Sequence, residues 1–86
     1  MLTVMKFEAS WCAPCRSLAP VFKKVAASMA DVKFETIDID ENPALAQQMN
    51  VSAVPTMTFV KDGKVVDVLV GLHKEQTIVD TINKWK

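Results

Sequence analysis

Charge of one sign is what this 86-residue sequence most plainly lacks, since ten Lys and Arg balance ten Asp and Glu. Without a basic excess, nucleic-acid binding by phosphate neutralisation is disfavoured. A polybasic membrane-surface segment is disfavoured for the same reason. Long apolar runs are also missing: none approaches the ~20 residues of a transmembrane helix. The opening, Met1 to Glu8, lacks the basic stretch and apolar core of a secretory signal. A cytoplasmic location is the resulting expectation. Glycine and proline number two and four, too few for a linker-like or disordered chain. The length leaves no room for a second domain, so residues 1–86 read as one domain, expected to be a monomer. Cysteine is scarce too, with only Cys12 and Cys15. A bridge between them closes a very small loop and constrains the unfolded chain little. In a reducing compartment such a pair points to catalysis or metal binding.

What is present is an alternation of strand and helix patterns. Residues 2–8 read as a buried strand through Leu2, Val4, Met5 and Phe7. Residues 13–29 read as a helix, with Leu18, Val21, Phe22, Val25 and Met29 on one stripe. Pro14 suits its first turn, whereas Pro20 sits inside the pattern and predicts a kink. Residues 32–38 read as a strand. Asn42 and Pro43 mark the start of a short helix, with Asn42 as N-cap, that ends near Asn50. Residues 56–60 and 65–70 read as strands joined at Lys61-Asp62-Gly63-Lys64, a hairpin turn. Residues 74–85 close the chain as a poorly capped helix with Ile78, Ile82 and Trp85 on one stripe. The order is βαβαββα, an α/β chain. The strands are apolar on both sides, which calls for helices on both faces of a four-stranded mixed sheet.

The chemistry concentrates in Trp11-Cys12-Ala13-Pro14-Cys15. Two thiols three residues apart, where a strand runs into a helix, share a face and can bond to each other. Cys12 lies at the helix N-terminus, where unpaired N–H groups and the macrodipole favour a thiolate. It is also expected to be the more exposed of the two. The asymmetry predicts a sequence of attacks. Cys12 attacks a target disulfide, and Cys15 then attacks Cys12 and releases the reduced target. Pro14 stiffens the intervening pair. Half of a zinc site is the competing reading, but that needs two more ligands, and only His73 and carboxylates remain. No metal is expected.

Trp-Cys-x-Pro-Cys after a buried strand, Pro20 five residues further on, Asp40-Glu41-Asn42-Pro43, Val54-Pro55-Thr56, Lys61-Asp62-Gly63 and Gly71 together resemble the thioredoxin family. The resemblance extends over essentially the whole chain. It implies the thioredoxin-like fold and a protein-disulfide reductase with Cys12 as attacking and Cys15 as resolving residue. It implies that Pro55 follows a cis bond, a minority state for X–Pro, and that the backbone of Val54 pairs with a bound substrate strand. Trp11, Val54, Pro55, Gly71 and Leu72 are then expected to frame an apolar groove around Cys12. No cofactor is implied in the domain itself. Electrons are expected from an NADPH- and FAD-dependent thioredoxin reductase, and the partners are that reductase and disulfide-containing proteins.

Several positions depart from the family pattern. The chain begins almost at the central strand, which predicts residues 32–38 as a sheet edge guarded by Lys33 and Glu35. Ala13 stands where Gly is commonest. Lys6 stands where the family carries a buried Asp, Thr36 where it carries that residue's Lys partner, and Glu8 where Trp is common. Lys6 and Glu8 lie two residues apart on one strand and so face the same way. Lys6 is expected to pair with Glu8, snorkel to water or give up its charge. Glu8 is then a candidate acceptor for the Cys15 proton. Two other functions fit the same motif: a glutathione-dependent, glutaredoxin-like reductase, and a non-catalytic binding subunit. Against the glutaredoxin reading, the Tyr usual between the two cysteines is missing. Coupled turnover with either electron donor separates the first pair. Replacement of both cysteines by Ser isolates the third.

Overall fold

Alternation along the first strand sets the layering. In the computed structural model, which describes residues 1–86, β1 runs Leu2–Glu8 and buries Leu2, Val4 and Lys6 on one side and Phe7 on the other. The remaining elements are α1 (Ala13–Ser28), β2 (Lys33–Asp38), α2 (Pro43–Gln48), β3 (Thr56–Lys61), β4 (Lys64–Val70) and α3 (Glu75–Trp85). The sheet order is β2-β1-β3-β4. β1 is parallel to β2 and antiparallel to β3, and β3 and β4 form a hairpin. The α/β class, the element order and the mixed four-stranded sheet agree with the sequence reading. β2 is a sheet edge, and Lys33 and Glu35 form an ion pair on it at 3.2 Å.

One face carries most of the core. Leu18, Phe22 and Val25 of α1 and Ile78 and Ile82 of α3 close over Leu2, Val4, Met57 and Phe59. The register puts Val4 opposite Phe59 and Lys6 opposite Met57, so these four share that face. The other face has only a small buried cluster, Phe7, Ile37 and Ala46, under the six-residue α2.

The hairpin turn needs positive φ at two consecutive positions, and Asp62 (φ 53°) and Gly63 (φ 79°) supply it. α1 continues through Pro20 without a break. One local expectation changes. Asn42 does occupy the N-cap of α2, but its side chain makes no cap bond there. Asn42 Nδ2 instead donates to the Asp38 carbonyl at 3.2 Å, while Asp38 Oδ1 accepts from the Asp40 and Glu41 amides at 2.8 and 3.3 Å. The first aspartate of the segment therefore organises the turn. α3 starts at Glu75 with Lys74 at a bare N-cap, the poor capping expected of this helix.

Candidate active site

β1 delivers the chain to the site at Glu8, and the turn Ala9–Trp11 reverses it into α1. The Cys12 amide donates to the Ala9 carbonyl at 3.1 Å, which tightens this turn. Cys12 is the N-cap of α1 with an extended backbone, and Ala13 and Pro14 form the first turn. Pro14 costs no helical hydrogen bond there, because early N–H groups have no partner inside the helix. Cys12 and Cys15 are joined by a disulfide, with Cα atoms 5.3 Å apart. The Cys15 amide donates to Cys12 Sγ at 3.2 Å, so a helix-terminal N–H is aimed at the first sulfur. No acid sits in the first turn of α1 to oppose a thiolate.

The expected difference in exposure is not found. Cys12 is 4% exposed and Cys15 2%, because Ala9, Ile39 and Val54 pack around both. What separates them is chemical: the N-cap position and the amide bond belong to Cys12 alone.

The Val54–Pro55 bond is cis, and Val54 lies against the cysteine cluster. Thr56 Oγ1 donates to the Ala53 carbonyl at 2.6 Å, and the Gly71 amide donates to the Pro55 carbonyl at 2.8 Å. Gly71 has φ 90°, which a side chain resists. Trp11 and Leu72 are large apolar side chains left open, 66% and 55% exposed. Trp11 is held nonetheless: its Nε1 donates to Asp40 Oδ2 at 3.0 Å. Asp40 and Arg16, whose Nη1 donates to the Ser10 carbonyl at 3.0 Å, are site residues that the sequence reading did not single out. No local signal marks the Trp11–Asp40 contact, which joins residues 29 apart in sequence.

Beneath the disulfide, Lys6 is 3% exposed and so does not snorkel to water. Its Nζ lies 2.9 Å from Glu8 Oε1 and 4.9 Å from the centre of the Phe22 ring. The pairing with Glu8 is the first of the three outcomes expected for Lys6.

The thioredoxin family model matches residues 1–84. The chain belongs to the thioredoxin family. It is 47% identical over 75 residues to a plant thioredoxin of Arabidopsis thaliana, across 87% of this chain and 64% of that one. It is 40% identical over 83 residues to the thioredoxin of Chlamydia caviae, across 96% of this chain and 81% of that one. The X-ray structure of Fasciola hepatica thioredoxin superimposes with a TM-score of 0.94 at 40% identity, covering 99% of this chain and 81% of the other. The chain thus spans less than two thirds of the length of the plant relative. Thioredoxins are thiol–disulfide oxidoreductases that bind no cofactor of their own, and here Cys12 and Cys15 occupy the family's redox position. No helix is long and apolar enough to cross a membrane.

Proposed function

We propose that this chain is a protein-disulfide reductase that cycles between a Cys12/Cys15 dithiol and the Cys12–Cys15 disulfide. The observation that carries the reading is the disulfide at the N-terminus of α1, with the Cys15 N–H directed at Cys12 Sγ. In the reduced state the same N–H and the helix dipole favour a thiolate on Cys12. That thiolate attacks a substrate disulfide, and the displaced substrate sulfur leaves. Cys15 then attacks Cys12 Sγ, which frees the second substrate sulfur and restores the ring.

Trp11, Val54, Pro55, Gly71 and Leu72 form the docking surface in this reading. The Val54 backbone pairs with an extended substrate segment, and the exposed Trp11 and Leu72 side chains flank it. Electrons come from a flavin enzyme that uses NADPH, a thioredoxin reductase. The compartment is the cytoplasm and the working form a monomer. The match to thioredoxins favours this donor over glutathione.

Insulin reduction with each donor system tests the proposal. Turnover with NADPH and thioredoxin reductase, and little with glutathione and glutathione reductase, is the expected result. Cys15→Ser should stop turnover and accumulate a Cys12–substrate mixed disulfide visible by mass spectrometry. A Cys12→Ser/Cys15→Ser protein that retains full biological function would replace the reductase by a binding subunit.

A further inference from the structure

Resolution of the mixed disulfide needs the Cys15 proton to leave before Cys15 attacks. Cys15 is almost wholly buried, and a cavity of about 250 Å³ opens beside it. Glu8, Ala9, Ser10, Cys15, Arg16 and Ala19 line it, and Glu8 is the only acid among them. A space of this size, with Glu8, Ser10 and Arg16 among its walls, admits water.

We infer that Glu8 accepts the Cys15 proton through a water in this cavity, and that Lys6 is the positioning residue that holds Glu8 there. The inference rests on the dithiol reading above and assigns its proton acceptor. A buried ammonium is costly without a partner. Lys6 is that ammonium, and Glu8 Oε1 at 2.9 Å is its only anionic partner. The pair fixes the Glu8 carboxylate through Oε1. Glu8 keeps 30% of its side chain exposed, so it can pass a proton onward to solvent.

The other groups around Glu8 do not compete for the role. Arg16, from α1, is a cation engaged with the Ser10 carbonyl. Asp38, its register neighbour on β2, has Oδ1 committed to two loop amides. β3 presents Met57 and Thr56 opposite Lys6 and Phe7, and α3 sends Ile78 and Ile82 into this core, so neither adds a charge.

The Cys15 proton moves to the Glu8 carboxylate through the water. The thiolate forms the Cys12–Cys15 bond as the bond from Cys12 to the substrate sulfur breaks. The substrate sulfur leaves with the electron pair and takes a proton from solvent. The two cysteines together lose two electrons in the full cycle, and the substrate disulfide gains them.

Reduced protein mixed with the aryl disulfide of thionitrobenzoate separates the two attacks. The first thionitrobenzoate released reports Cys12, and the second reports Cys15. Glu8→Gln should slow the second release roughly 100-fold at neutral pH, the low end of the range for general-base catalysis. Its rate should also keep rising to higher pH than in the wild type. The first release serves as the internal control. Formate added to Glu8→Ala should restore part of the second rate, because the cavity is open to a small carboxylate. Lys6→Met/Glu8→Gln removes both charges, so it tests the same step without a lone buried ammonium and should be slowed alike. An unchanged second release in Glu8→Gln and in the double variant overturns the role of Glu8 alone. A wild-type protein that never gives the second release overturns the dithiol reading with it.

Discussion

The two faces of the sheet are built to different standards. Under α1 and α3, ten buried residues form one continuous core, whereas under α2 only three do. The difference follows from cover. α1 and α3 are 16 and 11 residues long, and α2 is six. Beyond α2, Val65, Val68 and Val70 of β4 stay 45–58% exposed. The Thr58 hydroxyl on this face is buried with no hydrogen-bond partner. The lesson is that the helix carrying the cysteines is anchored on the dense face. Leu18, Phe22 and Val25 fix α1 to the sheet and hold Cys12 and Cys15 over the end of β1. The sparse face contributes little to that anchoring.

Substitutions on either side can break this contrast, and unfolding of the oxidised protein in urea measures all of them. Phe59 is fully buried in the dense face. Phe59→Ala should cost about 3–5 kcal/mol, roughly a fifth or more of the stability of a typical domain. A loss below ~1 kcal/mol would mean that this face is not the main store of stability.

The Lys6–Glu8 pair lies at the edge of the same face and gives an asymmetric prediction. Glu8→Ala strands a buried ammonium and should cost roughly 3 kcal/mol, the low end for breaking a buried pair. Lys6→Met leaves a carboxylate that already reaches water and puts a methionine beside the Phe22 ring, so its effect should stay within about 1 kcal/mol. Equal costs for the two would place the pair in solvent.

The sparse face should tolerate change. Thr58→Val removes a hydroxyl that finds no partner and should stabilise by about 1 kcal/mol. Val68→Thr alters a half-open position and should fall within about 0.5 kcal/mol of the wild type. A large loss at Val68 would reveal that something covers this face in solution.

Local signals were legible where they act over a few residues. The Asp62-Gly63 turn, the stripe on α1 and the alternation of β1 each state their structure in place, and the elements match within one or two residues. The Trp11–Cys15 motif with Val54-Pro55 carried the family. Asn42-Pro43 marks the start of α2 in place, but Asp38 rather than Asn42 makes the turn-closing bonds. Asp38 takes the amides two and three residues on, whereas an Asn42 cap would take those of Ala44 or Leu45, and sequence alone does not rank the two arrangements.

The order of elements, the dithiol at a helix N-terminus, and the placing of Lys6 and Glu8 on one side of a strand can all be read along the chain. Those properties depend on backbone period and on neighbours along the chain. Long-range packing seals Lys6 under Phe22, brings Glu8 and Cys15 to one cavity and ties Trp11 to Asp40. It also makes Cys12 nearly as buried as Cys15. Burial and partnership depend on which distant elements close over a residue, and a one-dimensional pattern does not encode that cover.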